Sequence, residues 1–390
     1  MTAQDQARLL ADVDRFCEEL RPIEELCYAE HRFNDQVVPL AKKYDILSMP
    51  IPKQYGGRGA DSVTYARALA RIGREGTGVR TFFSGHVSIG QYPILTWGNE
   101  DQKRRYLLPA SRGEKILAFG LTEPEAGSNP LELTTTYEHQ GDHFVLNGVK
   151  YLISNGGICD AVVVFAYPRA GGRMSAFIVD TDGPGFTRED LTAKMGMPTA
   201  NTGMFEMTNY KIPASNLLGE EGNGFRIAMG SLVSGRLSVA AGCLGVIEDC
   251  LVEACNYAKE RRQHGKPIAK HQLVQEHLAA IEMDRLASEA LVLKAAAAKD
   301  DSTAQPDNAE LRAKAELLAA QAKLFASNAA WDAADRAVQI YGGRGWSTLY
   351  RPGRHLMDTR VCRIYEGTDE ILKMKIASAV LGGKEWEAFK

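Results

Sequence analysis

The hexapeptide Arg363-Ile364-Tyr365-Glu366-Gly367-Thr368 sets one carboxylate between a bulky apolar run and a glycine, and it is the best place in this chain for a proton to be moved. Flanked by Ile364 and Tyr365, Glu366 is expected in a partly dry site, where lost hydration raises the carboxyl pKa toward working pH and makes its anion a better base. Gly367 lets a reacting molecule approach the backbone closely. The same residues have a second reading, a surface acid opening a helix that Thr368 caps. Other chemistries find fewer residues to carry them. The Gly-rich stretches Gly219-Glu220-Glu221-Gly222-Asn223-Gly224 and Gly342-Gly343-Arg344-Gly345 do not sit between a parallel strand and a helix, which argues against a dinucleotide fold. No GxxxxGK[ST], HExxH or GxSxG occurs, which removes the simplest phosphotransferase, metalloprotease and serine-hydrolase readings. The 7 cysteines are scattered without CxxC pairing, which fits reduced thiols better than disulfides or zinc, and no metal site is expected.

The elements that must hold these residues follow from the pattern of apolar residues. Over roughly 1–115 they recur at three and four, broken at Pro50, Pro52 and Gly56-Gly57, as in several short helices. Over roughly 116–225 the runs at 143–146, 161–166 and 175–179 are short and β-prone, separated by Gly, Asp and Pro, as in antiparallel strands. From 226 to 390 the pattern is helical again, with long Ala- and Leu-rich stretches at 273–299 and 309–340 separated by Pro306-Asp307-Asn308, as in an antiparallel bundle. With 390 residues, a formal charge of -3 and 24% charged residues, the chain has an ordinary globular composition that argues against a nucleic-acid partner. The acidic, amphipathic amino terminus shows no signal or transit pattern, so a cytoplasmic location is expected. The longest clean apolar run, 161–167, is too short to cross a bilayer.

Six segments in order along the chain resemble the acyl-CoA dehydrogenase family. They are Thr122-Glu123-Pro124-Glu125-Ala126-Gly127-Ser128-Asn129-Pro130, Asn147-Gly148-Val149-Lys150-Tyr151-Leu152-Ile153-Ser154-Asn155, Asn216-Leu217-Leu218-Gly219, Glu260-Arg261-Arg262-Gln263-His264-Gly265-Lys266-Pro267-Ile268, Gln339-Ile340-Tyr341-Gly342-Gly343-Arg344-Gly345 and Tyr365-Glu366-Gly367-Thr368. The resemblance implies an α+β, acyl-CoA dehydrogenase-like fold: an N-terminal helical domain (1–115), a central antiparallel β-barrel-like domain (116–225) and a C-terminal four-helix bundle (226–390). It implies FAD held between the β domain and the bundle, with a neighbouring subunit of a homotetramer completing the site. Phe119, Leu121, Thr122, Gly127, Ser128, Leu152 and Ser154 match positions near the flavin ring, Thr122 and Ser154 offering donors without charge. Arg261 matches a pyrophosphate ligand, as a guanidinium fork suits paired oxygens, while a solvated helix face is its plainer reading. Gln263, His264, Gln272, Gln339, Gly342 and Gly343 match the rest of the cofactor, and Thr368 and Glu370 would touch it beyond Glu366.

The implied reaction is α,β-dehydrogenation of a CoA thioester to a 2-enoyl-CoA, Glu366 taking the α-proton and an electron-transfer flavoprotein receiving the electrons. Ser128, Arg236, Gly367 and Tyr365 would contact the acyl-CoA. Same-fold oxidase or desulfinase chemistry, and a flavin-binding protein without turnover, are the alternatives. Gly235 stands where some branches of the family carry the base instead. Leu152 replaces a common tryptophan, and His264 replaces a phenylalanine, so it either stacks on FAD or fills the same space. Arg80 and Ser84 match the arginine and serine by which the glutaryl-CoA dehydrogenase subgroup holds a distal carboxylate, and four residues apart they share a helical face. A buried arginine needs an anionic partner, here a substrate carboxylate or a protein acid such as Glu75. Gly73 stands where the decarboxylating subgroup has a glutamate, so a carboxylated substrate would be oxidised without decarboxylation.

Overall fold

The computed structural model describes residues 1–383 of the chain. Helices come first: α1 (Ala3–Ala29), α2 (Val37–Lys43), α3 (Ser62–Glu75), α4 (Thr77–Phe83), a π-helical stretch Ser84–Gln91, α5 (Tyr92–Trp97), α6 (Glu100–Gln102) and α7 (Leu108–Ser111). The strands are β1 (Leu117–Gly120), β2 (Thr136–Gln140), β3 (His143–Ser154), β4 (Ala161–Pro168), β5 (Ser175–Asp180), β6 (Phe186–Asp190), β7 (Thr202–Pro213) and β8 (Leu217–Leu218). Then follow α8 (Gly224–Glu260), the hairpin β9 (Arg262–Gln263) and β10 (Lys266–Pro267), α9 (Gln272–Ala304), α10 (Ala309–Tyr341), α11 (Arg351–Thr359) and α12 (Asp369–Leu381). The helix, sheet, helix order read from periodicity is the observed order.

The sheet departs from the expected antiparallel barrel. Eight strands form an open, mixed sheet in the order β6-β7-β3-β2-β4-β5-β8, with β1 joined to β4 off that path. Both β1 and β2 run parallel to β4, while the other pairings are antiparallel. The reason lies in β4 itself. Its stretch Ala161-Val162-Val163-Val164-Phe165-Ala166 is buried at every residue, the continuous apolar run of a strand covered on both faces rather than the alternation of a half-wet antiparallel one.

Helix α8 is the centre of the bundle, buried without interruption from Val233 to Ile247, and it packs on α3, α9 and α10. Small residues allow the α3 contact: a Cβ on Gly73 would lie 2.4 Å from the Gly242 carbonyl oxygen, and one on Gly245 would lie 1.9 Å from that of Ala70. All cysteines are free thiols, and all but Cys255 are buried. Among the described residues no helix is long and apolar enough to cross a membrane.

The segment leaving β1 is fastened to the sheet by a buried ion pair. Lys150 in β3 is fully enclosed; its Nζ donates to Glu123 Oε1 at 2.8 Å, to the Phe165 carbonyl at 2.8 Å and to the Leu121 carbonyl at 3.2 Å. Glu123 also accepts from the Thr134 amide at 2.6 Å, the Thr134 hydroxyl at 2.8 Å and the Thr135 amide at 3.0 Å. Burial alone would raise the Glu123 carboxyl, but Lys150 and the threonine donors outweigh it and hold it down to about 2. Removing one partner strands the other charge away from water, so Lys150→Met is expected to cost about 3–5 kcal/mol of stability in urea unfolding. A cost under about 1 kcal/mol would show that the pair is not needed to fasten this segment.

Candidate active site

After α11 the chain runs through a 3-10 turn, Arg360–Arg363, and the amides of Ile364 and Tyr365 both donate to the Val361 carbonyl. Glu366 then takes φ +57° and Gly367 φ +96°. A left-handed glutamate costs about 1–2 kcal/mol, so something must hold it. Two cations do. Arg236 Nε on α8 donates to the Glu366 carbonyl at 3.0 Å, and Lys323 Nζ on α10 donates to the Gly367 carbonyl at 2.7 Å. Thr368 caps α12 by accepting from the Ile371 amide at 3.3 Å. The cap reading of Thr368 is therefore correct, while the surface-acid reading of Glu366 is not.

The Glu366 carboxylate points inward, and its Oε2 is buried with no hydrogen-bond partner among the described residues. Burial pushes its pKa up to about 7, against the opposing pull of Arg236, Arg80 and Lys323. Directly beneath it lies Gly235: a Cβ there would stand 2.3 Å from Glu366 Oε2 and 2.7 Å from Oε1. The position that could have carried an alternative base is thus the space that Glu366 needs.

Arg80, on α4, is buried, and its Nη2 donates to the Tyr365 hydroxyl, with the guanidinium carbon 5.6 Å from the ring centroid. Its Nη1 is buried without a partner among the described residues. Glu75 does not serve it, because that carboxylate is held by Arg21 at 2.6 Å and 2.8 Å. The Arg80 stem passes over Gly242, where a Cβ would be 2.7 Å from its Cδ and Nε. Ser84 opens the π-helical stretch one turn on and is buried as well. Stretches of this kind recur at functional sites. Asn155 Nδ2 at the end of β3 donates to the Phe82 carbonyl at 3.1 Å, tying the sheet to the element that carries Arg80.

The residues matched to a cofactor fall in two groups. Near the sheet, Phe119 and Leu121 are buried, Thr122 and Ser154 half-buried, and Gly127 and Ser128 exposed. The Tyr151 amide donates to the Thr122 carbonyl at 2.9 Å, so the segment after β1 lies alongside β3. There the β3–β7 register shifts between Lys150 and Ile153, and Leu152, at φ +58°, is 55% exposed beside it. On the bundle, Arg261, Gln263, His264, Gln272, Gln339, Gly342 and Gly343 are all exposed, and a Cβ on Gly342 or Gly343 would meet nothing within 4 Å. The bundle group therefore offers open, donor-rich surface, and the sheet group a partly enclosed one with the Thr122 and Ser154 hydroxyls at its edge, a combination that fits an extended cofactor. Glu370 is exposed in the first turn of α12, with its carboxyl lowered by its own backbone amide and Thr368.

Sequence reasoning gave no role to Glu123, Lys150 or Lys323. The first two lie inside motif segments, but nothing in either segment says that they meet. Lys323 had a readable signal, since it shares a helical face with Ala319, Ala326 and Ala330 in an otherwise apolar stripe, and all four are buried.

Comparison with known proteins agrees with this architecture. Models of the acyl-CoA dehydrogenase N-terminal, middle and C-terminal domains match residues 3–114, 118–210 and 222–381. An acyl-CoA dehydrogenase of Bacillus subtilis (strain 168) is 40% identical over 384 residues, covering 97% of this chain and 99% of that one. The structure of butyryl-CoA dehydrogenase from Megasphaera elsdenii superposes with a TM-score of 0.91 at 35% identity, over 98% of this chain and 99% of that one. A glutaryl-CoA dehydrogenase from Mycobacterium smegmatis, in complex with FADH2, superposes with a TM-score of 0.91 at 28% identity, over 100% of this chain and 97% of that one. With a helical layer, an open mixed sheet and a bundle shared with these relatives along almost its whole length, the chain is an oxidoreductase. It belongs to the acyl-CoA dehydrogenase family.

Gly235→Ala tests the fit beneath Glu366. Helix propensity alone would make alanine stabilising by about 1 kcal/mol in α8. The methyl instead meets the carboxylate, so acyl-CoA-dependent reduction of a dye acceptor is expected to fall about 100-fold, with thermal stability kept. An unchanged rate would mean that this contact does not position Glu366.

Proposed function

We propose that this enzyme oxidises the α,β bond of an acyl-CoA thioester to the 2-enoyl-CoA, with Glu366 as the base. The observation that carries the reading is a half-buried glutamate whose enclosed Oε2 has no hydrogen-bond partner among the described residues, its carboxyl pushed up to about 7 by burial despite three nearby cations. FAD is the cofactor, and bound there it would supply the hydride acceptor for the β-hydrogen. Glu366 receives the α-proton on Oε2. Its own amide has no acceptor among the described residues, and a free N–H beside the base suits the thioester oxygen, on which charge builds as the α-proton leaves. Arg236 and Lys323 hold the two peptide planes that follow Glu366, and with them the carboxylate, in one orientation.

Thr122 and Ser154 would meet the polar edge of the cofactor ring and Arg261 its pyrophosphate. The bundle residues Gln263, His264, Gln272, Gln339, Gly342 and Gly343 would be supplied by a neighbouring copy in a homotetramer, which their exposure supports. An electron-transfer flavoprotein is the proposed acceptor; rapid oxygen consumption without one would instead favour an oxidase.

The acyl chain we propose ends in a carboxylate. Arg80 is a buried guanidinium with an unpaired Nη1 and no protein carboxylate bound to it among the described residues, and a distal substrate carboxylate supplies what it lacks. Decarboxylation is not part of the proposal, because a glutamate at Gly73 would have to displace the α8 backbone 2.4 Å away.

Two outcomes test these roles. Anaerobic bleaching by butyryl-CoA should slow about 1,000-fold in Glu366→Gln, a loss typical of a removed general base. In the wild type the rate should rise with pH through about 7, as the carboxyl ionises. A Glu366→Gln enzyme as fast as wild type would place the base elsewhere. Arg80→Met removes a cation near Glu366 for every substrate, but on the high-pH plateau it should raise KM for glutaryl-CoA about tenfold more than KM for butyryl-CoA, as expected for one lost charge-assisted bond. Equal effects on both would refute a carboxylate-binding role.

A further inference from the structure

Lys323 is fully buried in the middle of α10, yet no carboxylate pairs with it among the described residues. Its one hydrogen bond, at 2.7 Å, goes to the Gly367 carbonyl. The nearby acid Asp369 is already engaged, its Oδ2 accepting from Arg363 at 2.9 Å and from Asn328 at 3.0 Å. An ammonium buried in this way costs several kcal/mol, far more than one carbonyl bond returns, and a neutral residue could fill the space. Its position relative to the turn is informative. Glu366 and Gly367 are consecutive left-handed residues, and their consecutive carbonyls are gripped by cations from two different helices, Arg236 on α8 and Lys323 on α10. With these carbonyls fixed, the Glu366–Gly367 and Gly367–Thr368 peptide planes cannot rotate, so the Glu366 side chain, carried on the Cα they anchor, keeps one direction.

We propose that Lys323 is a positioning residue for proton abstraction, clamping the Gly367 carbonyl from α10 so that the Glu366 carboxylate is held facing the substrate. The inference rests on Glu366 being the base. A second consequence comes from charge. Glu366 is faced by Arg236 from α8, Arg80 from α4 and Lys323 from α10. Lys323 is faced by Cys362 and Asp369 on the base's own segment and by Cys243 from α8, while Glu316 on α10 acts on Arg236. Removing the Lys323 charge leaves Glu366 with fewer cations opposing its burial, so its ionisation moves to higher pH. A lysine that served the fold alone would leave the pH profile of the reaction where it is.

The test is anaerobic flavin reduction by butyryl-CoA across pH, in FAD-loaded wild type and in Lys323→Met, Lys323→Gln, Lys323→Arg and Glu366→Gln. Lys323→Met should lose about tenfold in rate at pH 7, and its rising limb should move up by about one pH unit, the size expected when a nearby opposite charge is removed. Lys323→Gln keeps a donor for the Gly367 carbonyl without the charge; it should show the same shift with a smaller loss of plateau rate. Lys323→Arg should restore the wild-type midpoint. A Lys323→Met or Lys323→Gln enzyme with wild-type midpoint and plateau, alongside an inactive Glu366→Gln, overturns the role of Lys323 while leaving the base intact. Full activity in Glu366→Gln overturns the base reading instead. If Lys323→Met does not retain FAD, the midpoint of Lys323→Gln decides.

Discussion

A carboxylate oxygen taken out of water must be held there, and Glu366, with its enclosed Oε2, sets the terms for everything around it. Its unpaired oxygen and raised pKa make it a proton acceptor, and they also make it costly. The surroundings offset that cost without satisfying the group. Three cations favour its charge from a distance, none of them forming a salt bridge with it, so Oε2 stays open. Two of the three hold backbone carbonyls of the turn instead of the carboxylate. A direct ion pair would have lowered the pKa and blocked the oxygen that has to receive a proton.

The opposite rule holds on the sheet side. Glu123 and Lys150 are buried too, but they meet directly and each is saturated with hydrogen bonds, so the pair holds position and carries no free valence. It pins the segment after β1 against β3 and β4 just where β3 bulges at Leu152. The Asn155 bond to Phe82 then passes this alignment to α4 and so to Arg80. Saturated charges fix the frame, while Glu366 Oε2 and Arg80 Nη1 are left without hydrogen-bond partners among the described residues.

The order of elements was legible because periodicity changes sharply near the ends of the β region, and strands β3, β4 and β5 begin at the runs read from sequence. The parallel pairing of β1 and β2 with β4 was not read, although the unbroken apolar run of β4 carries that signal; short flanking turns made the antiparallel reading the simpler one. The turn at Glu366 was legible as chemistry because its residue types are unusual together. What holds it was not, since Arg236 and Lys323 lie 130 and 43 residues away along the chain, and a single sequence carries no pairing information. The same limit applied to Arg80: only the packed structure shows Glu75 committed to Arg21, which removes that acid as its partner.

The proton step can be observed apart from the redox step with a 3-thiaacyl-CoA, which has no β-hydrogen to lose. In deuterium oxide, NMR follows exchange of its C2 hydrogens on the enzyme. Wild-type protein should exchange them, with a rate that rises through pH about 7, and Glu366→Gln should not. Exchange by Glu366→Gln at the wild-type rate would contradict the assignment of Glu366 as the base.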